Sequence, residues 1–275
     1  ADRQSIAEGF APFADRFCRQ PVEIRTTTLA PDQREVSFRF VDEAARGALW
    51  SLARSWFDLA GPGVRFMNAV HEAFDLRAEG IDSDVRTGFR KAWAFLSAGH
   101  AIDRITRLDA APPALSKARD VLERYGLGHL SIVGTDHFNG TCNVYPMLAP
   151  GWAKPETVRD LARDFDFAPL EPAWLDYFER SVAANFTFSW SSGELERMSF
   201  YRPAMSVEEL PDDPILRRFA AECPCIAPQR AFIPSIAYAR KGHYRKLEID
   251  YDGNIVGVLV RCAQVPTAAR AGEGT

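Results

Sequence analysis

The sequence predicts an α+β fold: a ten-stranded antiparallel sheet closed into a barrel, with helices on its outside. Three observations predict it. Five times along the 275 residues, two short segments of alternating polarity meet at a tight polar turn. A stretch with helical spacing separates each pair from the next. In four of the five second strands one face carries a lone Arg or Lys, at Arg39, Lys91, Arg197 and Lys246. Successive side chains of a strand point to opposite faces, so an apolar face packed on helices sends the cations the other way, into a shared interior. Ten strands suffice to close a barrel with room inside, and a shared polar interior lined by cations points to a bound polyanion.

The elements follow in order. Ala1–Gln20 reads as an amphipathic helix, with Ile6, Phe10, Phe13 and Phe17 at helical spacing. The first strand pair, Val22–Thr28 and Arg34–Val41, is joined through Ala30-Pro31-Asp32, whose residue types favour a turn. Asp42–Leu59 reads as a helix, which Gly61-Pro62-Gly63 separates from a second one over Val64–Phe74. Trp50, Trp56 and Phe57 belong to the contact between helix and barrel. The second pair, Gly80–Thr87 and Phe89–Leu96, turns at Gly88. Asp103, Arg104, Arg107 and Asp109 read as a solvated charge cluster on a connection, ahead of a helix over Pro112–Tyr125 that stops at Gly126.

The third pair, Leu130–His137 and Thr141–Met147, turns at Phe138-Asn139-Gly140, and Asn-Gly between alternating segments is the strongest short hairpin signal. Lys154–Phe165 and Pro172–Ala184 read as helices. The fourth pair, Asn185–Ser191 and Leu195–Tyr201, turns at Ser191-Ser192-Gly193. Val207–Glu222 includes a helix, and the fifth pair, Phe232–Arg240 and Tyr244–Tyr251, turns near Lys241-Gly242. Asn254–Gln264 reads as a closing helix before a small polar tail. No linker interrupts the rhythm, so residues 1–275 read as one domain of five similar units.

Composition narrows the function classes. With 47% hydrophobic and 25% charged residues the chain is an ordinary globular one. Its net charge of −4 argues against nonspecific binding to nucleic acid or anionic membranes. No apolar run approaches the roughly 18 residues of a membrane span, and no basic segment followed by an apolar one marks a secretory leader. The cysteines Cys18, Cys142, Cys223, Cys225 and Cys262 are irregularly spaced, and Cys223-Pro-Cys225 is too short for a CxxC pair, so free thiols in a reducing cytoplasm are expected. His71, His100, His129, His137 and His243 form no HxxxH or HExxH pattern, and neither a P-loop nor a GxGxxG fingerprint occurs. Asp212-Asp213 continues as Pro-Ile-Leu, which is not an Asp-rich metal motif.

The strand faces sort cleanly. Glu35, Ser37 and Arg39 oppose Val36, Phe38 and Phe40; Phe89, Lys91, Trp93 and Phe95 oppose Arg90, Ala92 and Ala94. Thr141, Asn143 and Tyr145 oppose Cys142 and Val144; Asn185, Thr187 and Ser189 oppose Phe186, Phe188 and Trp190. Arg197, Ser199 and Tyr201 oppose Met198 and Phe200; Lys246, Glu248 and Asp250 oppose Leu247, Ile249 and Tyr251. Half-solvated strands facing bulk water would also alternate. They would not need Trp93, Tyr145 and Tyr201 on the cationic faces, whereas a lined cavity would.

These pieces resemble a known family. Glu35-Val-Ser-Phe-Arg-Phe40, Gly88-Phe-Arg-Lys-Ala-Trp93, Cys142-Asn-Val-Tyr145, Gly193-Glu-Leu-Glu-Arg197 with Ser199-Phe-Tyr201, and Tyr244-Arg-Lys-Leu-Glu248 with Tyr251-Asp-Gly253 occur in order, one in each repeat. Together they resemble the soluble aromatic prenyltransferases of the ABBA or PT-barrel type, nearest in likeness to the clorobiocin and novobiocin type, which prenylate 4-hydroxyphenylpyruvate-like phenols. That family has five αββα units around a barrel. The resemblance implies diphosphate-binding roles for Arg25, Arg39, Lys91, Asn143, Tyr145, Arg197, Tyr201 and Lys246. It places Trp93 beside the prenyl donor and makes Glu248 an acceptor-side carboxylate. Ser37 stands where metal-dependent members carry an Asp, and Arg39 follows, which implies an enzyme without a metal or other cofactor in which Arg replaces Mg²⁺. Phe138 stands where the clorobiocin type has an Arg near the acceptor, so a different acceptor is expected.

The chemistry agrees with the residue types. Ionising an allylic diphosphate builds negative charge on the leaving group, which fixed cations stabilise best in an enclosed site. Aromatic faces such as Trp93 can shield the allyl cation. Glu248, Asp250, water or the released diphosphate could then take the ring proton. The expectation is a cytoplasmic, monomeric enzyme of secondary metabolism transferring a dimethylallyl group from dimethylallyl diphosphate to a phenol, indole or phenazine-like ring. Geranyl diphosphate is the alternative donor. A noncatalytic barrel for a small anionic or hydrophobic ligand is the rival, but a carrier of apolar ligands would not bury five cations.

Overall fold

The computed structural model describes residues 22–43, 47–57, 59–169, 171, 181–202, 206–228, 230–240 and 242–251. The helices expected over Ala1–Gln20 and Asn254–Gln264, most of that over Pro172–Ala184, and Cys18 and Cys262 lie outside them. Ten strands form one closed antiparallel barrel in which each strand pairs with its neighbours in sequence and the last returns to the first. They are β1 (Val22–Thr27), β2 (Ala30–Asp42), β3 (Leu76–Asp84), β4 (Gly88–Ala101), β5 (His129–Asp136), β6 (Thr141–Pro146), β7 (Ala183–Ser189), β8 (Leu195–Tyr201), β9 (Phe232–Ala239) and β10 (Gly242–Asp250). Closure is made by β1 against β10, with Arg25 opposite Glu248 and Thr27 opposite Lys246. The barrel leaves no open edge to pair with another chain.

Six helices are described: α1 (Ala48–Trp56), α2 (Pro62–Ala73), α3 (Ile102–Thr106), α4 (Pro113–Arg124), α5 (Pro155–Asp164) and α6 (Pro214–Glu222). Proline opens α2, α4, α5 and α6. Its fixed φ suits the first turn, where its missing N–H leaves nothing unpaired. Asp213 caps α6, its carboxylate accepting from Ile215 N at 2.8 Å and Leu216 N at 3.1 Å. The cap of α1 comes from the barrel wall: buried Glu79 on β3 accepts from the backbone N of Leu49 at 2.9 Å and of Trp50 at 3.4 Å.

Three departures from the sequence reading have local causes. The helix expected from Asp42 begins only at Ala48, because Val41 and Asp42 continue β2 and pair with Gly80 and Glu79. The charge cluster at Asp103–Asp109 begins inside a short helix, α3, because Ile102 and Ile105 are both fully buried on its inner side. Its Asp103 pairs with Arg107 one turn on and with Arg119 of α4 at 3.2 Å. At the start of β4 the pairing with β3 slips between Asp82 and Ser83, so the strict alternation expected over Phe89–Lys91 fails. Phe89 therefore packs outward on Phe57, at 5.1 Å between ring centres, while Arg90 reaches Glu35 at 3.3 Å.

The outer faces of the strands make the main core. Phe186, Phe188, Met198 and Phe200 meet Phe66, Met67 and Val70 of α2, Leu115 and Leu122 of α4, and Leu161 of α5. A second cluster seats Leu216, Phe219 and Ala220 of α6 on Ile24, Phe232, Leu247 and Ile249. Each such side chain contributes about 1.5–3 kcal/mol when fully buried. The third hairpin turns as expected at Asn139-Gly140, where Gly140 takes φ 63° and Asp136 accepts from Asn139 N at 2.9 Å. No described helix is long and apolar enough to cross a membrane.

Two histidines are locked in this outer shell. His137 lies between the rings of Trp50 and Phe89, at 5.6 and 5.4 Å, with Nε2 2.8 Å from the Thr135 hydroxyl. His71 also stacks on Trp50, at 6.1 Å between ring centres, and its Nδ1 lies 3.2 Å from Glu79. Burial lowers both imidazoles to about 4. Unfolding therefore takes up protons between that value and the ordinary one near 6.5, and stability falls as the pH drops through this window. We expect His137→Phe to lose less stability than the wild type between pH 6.5 and 4, by up to about 3 kcal/mol. Parallel urea curves for the two proteins across that range would contradict it.

Candidate active site

The register carries the polar faces into one lumen. Arg25 stands between Glu35 and Glu248 on its two neighbours, Arg39 opposite Asp82, and Lys91 between Asp82 and Asp136. Farther round, Asn143 pairs with Thr187, Thr187 with Arg197, and Lys246 with Ser235. Tyr145, Tyr201, Glu248 and Trp93 lie on the same face. All ten residues singled out from the sequence thus line the barrel interior.

The cations divide into two groups. Arg25 and Arg39 are held by carboxylates. Arg39 grips Glu23 with both terminal nitrogens, at 2.6 and 3.0 Å, and lies 3.8 Å from Asp82 and 3.7 Å from Glu248. Arg25 donates its Nε–H to Glu35 and lies 3.9 Å from Asp82. Glu23, Asp82 and Ser37 have no exposed surface. Burial raises the Glu23 carboxyl to about 8, against the pull of Arg39. Burial acts the same way on Asp82, but Arg39 and Arg25 outweigh it and hold that carboxyl below its usual range.

The second group is Lys91, Arg197 and Lys246. Arg197 donates to the Tyr244 hydroxyl at 2.8 Å and to the Thr187 hydroxyl at 3.2 Å, and its buried Nε–H has no partner among the described residues. Lys246 sits over the Tyr201 ring, 5.3 Å from its centre. Lys91 approaches a carboxylate oxygen, that of Asp136, at 3.9 Å. Burial lowers Lys246 to about 7, with Arg197 and Lys91 adding to the effect and Glu248 opposing it. Lys91 is lowered by burial and by Arg25. Asn143 completes this side: its carbonyl oxygen accepts from Thr187 at 2.7 Å and from Asn185 at 3.1 Å, which leaves its amide N–H groups as donors.

Beyond the cations the lumen becomes apolar. Val41, Ala78, Trp93, Phe95 and Ile132 form a separate buried cluster with Tyr145 against it. Along β4 the order away from the hairpin is Lys91, Trp93, Phe95, a step from charge to aromatic rings. The Trp93 Nε1–H donates to the Tyr145 hydroxyl at 3.3 Å, and the Arg39 guanidinium lies over the indole at 5.0 Å. Glu248, between the two charge groups, is almost buried; burial would raise its carboxyl, but Arg39, Lys246 and Arg25 outweigh this and hold it low.

Sequence reasoning missed Glu23, Asp82, Arg90 and Tyr244. Alternation already put Glu23 beside Arg25 on the lumen face, so its role was readable there. Arg90 became visible only through the slip in β4. Phe138 is 59% exposed at a hairpin tip, with Arg90 over its ring at 5.2 Å, and does not enter the lumen. Among the described residues, no three His, Cys, Asp or Glu side chains are grouped to hold a metal ion.

The family described as Aromatic prenyltransferase Orf2 matches residues 1–262. The chain belongs to this family. Curated relatives include a furaquinocin biosynthesis prenyltransferase from Streptomyces sp. (strain KO-3988), 26% identical over 73% of this chain and 67% of the relative. A 5,10-dihydrophenazine-1-carboxylate 9-dimethylallyltransferase from Streptomyces anulatus is 25% identical over 68% of this chain and 64% of the relative. A 4-hydroxyphenylpyruvate 3-dimethylallyltransferase from Streptomyces niveus is 22% identical over 90% of this chain and 78% of the relative. The chain spans about two thirds of the first two relatives' length. The comparison does not single out the hydroxyphenylpyruvate type. It does make this barrel that of an aromatic prenyltransferase.

The ion-pair network of this prenyltransferase has a measurable consequence. Asp82→Ala leaves Arg25 and Arg39 short of a buried counter-charge, which costs about 3–5 kcal/mol when one partner of a buried pair is removed. Urea unfolding measures it; a loss under about 1 kcal/mol would mean that Glu23 and Glu248 suffice.

Proposed function

We propose that the enzyme transfers a dimethylallyl group from dimethylallyl diphosphate to a carbon of an electron-rich aromatic ring, without a metal, in secondary metabolism. The observation that supports this most is the division of the lumen. Lys91, Arg197 and Lys246, partnered chiefly by hydroxyl groups and an aromatic ring, stand at one end of a pocket that continues into Val41, Ala78, Phe95 and Ile132. A diphosphate suits the first part and an isoprenyl tail the second. Arg forks onto two phosphate oxygens, Lys acts as a compact point charge, and Asn143, Tyr145 and Tyr201 add neutral donors. Arg25 and Arg39 stand behind them, fixed by carboxylates, and the three less compensated cations take the place of Mg²⁺ in this reading.

In the proposed reaction the C1–O bond of the donor breaks and its electron pair leaves on the diphosphate, whose charge the cations meet. The resulting allyl cation lies in the apolar end, where the walls exclude water and Trp93 offers a π-system. A π pair of the acceptor ring forms the new C–C bond. The arenium ion then gives its ring proton to Glu248, and its electron pair restores the aromatic ring. Products are the prenylated ring, diphosphate and one proton. An arenium ion is a very strong acid, so a carboxylate held at low pKa is base enough. A phenazine-like acceptor fits this reading, because one relative is named for transfer to 5,10-dihydrophenazine-1-carboxylate. The described cysteines are free thiols, which suits a reducing, cytoplasmic setting.

The test is diphosphate release with dimethylallyl diphosphate and a panel of phenols, indoles and phenazines, with EDTA present. Turnover should persist; loss of activity with EDTA would overturn the metal-free reading, and no turnover with any ring would overturn the substrate class. Lys91→Ala should lower turnover about tenfold or more through loss of one charge-assisted contact, and wild-type kinetics would remove Lys91 from the site. With Lys246 near 7, most of it is neutral at pH 8. Binding an anion restores its charge, so calorimetry at pH 8 in two buffers of different ionisation heat should show proton uptake that Lys246→Arg abolishes. Equal uptake in both proteins would place the titration elsewhere.

A further inference from the structure

Both cross-strand partners of Trp93 are glycines: Gly80 on β3 and Gly134 on β5. In a barrel whose lumen face otherwise carries side chains, two such gaps beside one indole let the ring lie flat against the wall. A Cβ added at Gly134 would stand 2.6 Å from Cδ1 and 3.1 Å from Nε1 of Trp93, and 3.1 Å from the Ala92 carbonyl oxygen. At Gly80 it would stand 3.1 Å from Trp93 Cε3 and 3.3 Å from Phe95 Cε2. On the lumen side the indole is covered by Arg39, which Glu23 holds from two directions. The ring is thus clamped between backbone and guanidinium. It cannot yield to a larger neighbour by sinking into the wall, only by lifting into the pocket that Val41, Ala78, Phe95 and Ile132 line.

We infer that Gly134, seconded by Gly80, sets the depth of the apolar end of the lumen, and with it the length of prenyl chain the enzyme accepts. This rests on the donor-binding reading above. The cations of the diphosphate end do not touch the edge of Trp93 that faces Gly134: Arg197 bonds Tyr244 and Thr187, Lys246 lies over Tyr201 and Lys91 nears Asp136. Gly134→Ala therefore narrows the lumen at Trp93, where a chain longer than one prenyl unit must pass to reach Phe95 and Ile132.

The test uses three probes on the full chain: inorganic pyrophosphate for the head group alone, and the unreactive dimethylallyl and geranyl thiolodiphosphates. Gly134→Ala should leave pyrophosphate affinity within about twofold and lower geranyl relative to dimethylallyl affinity about tenfold or more, the effect expected of overpacking. Trp93→Val in the Gly134→Ala background should restore the ratio, since it removes the ring atoms that the new methyl meets. Gly80→Ala, with its looser contacts, should give the same change in smaller measure and serves if Gly134→Ala does not fold. An unchanged geranyl-to-dimethylallyl ratio in both alanine variants, with binding intact, overturns the inference alone. Equal loss for all three probes overturns it too, since the head group would then feel the change. If the wild type binds none of the three probes, the donor-binding reading itself falls.

Discussion

Closure of the barrel is the constraint on which the rest depends. Once β1 pairs with β10, the alternating polar residues of ten strands have no bulk water to face and must share one enclosed space. In such a space a lone charge is costly and a paired one is strongly held. The same alternation that puts Phe186, Phe188 and Met198 into the outer core therefore brings Arg25, Arg39, Lys91, Arg197 and Lys246 together with Glu23, Asp82 and Glu248. Sheet geometry alone does this, since each inward residue is set by the register of its two neighbours.

What the enclosure does to the charges is uneven. Arg25 and Arg39 meet carboxylates at close range, so their charge is already compensated and their side chains are fixed. Arg197 meets two hydroxyls, Lys246 an aromatic face and Lys91 a single carboxylate at 3.9 Å, which orients the three with little neutralisation. The lowered pKa of Lys246 expresses the same imbalance: three cations crowd one region with little counter-charge. A site of this kind favours an anion entering from outside, because the anion supplies what the fold leaves out. In the carboxylate-bound pair, Arg39 is held over the Trp93 face by Glu23.

The expected barrel and hairpin rhythm were legible because they rest on period-two alternation and turn chemistry, both local. Asn139-Gly140 and the helix that starts at the Pro112-Pro113 step are of this kind. The lumen face of nearly every strand was legible for the same reason. The slip in β4 was not: Phe89, Arg90 and Lys91 form an ordinary alternating run, and only the competing demands of Phe57 outside and Glu35 inside decide which residue is left over. The counter-ions show another limit. Glu23 and Asp82 sit on lumen faces that alternation assigns correctly, yet which carboxylate meets which arginine depends on cross-barrel distances that no single strand encodes. The short helix at Ile102 hides for a third reason, since its two buried isoleucines are too few to make a period.

Glu248 joins the two halves of the site, and its surroundings limit what it can do. It faces Arg25 across the closing seam, lies 3.7 Å from Arg39 and sits two residues from Lys246 on the same face. Three cations make it a poor base toward ordinary acids, which keeps it ionised and ready at neutral pH. On the proposed reaction that poverty is useful. Only an arenium ion is acidic enough to protonate it, so a phenol hydroxyl on the same acceptor keeps its proton until the ring has reacted. Proton and cations then compete for one carboxylate, and the cations win as soon as solvent returns. A stronger base in that place would hold its proton, and the next turnover would begin with the site already titrated.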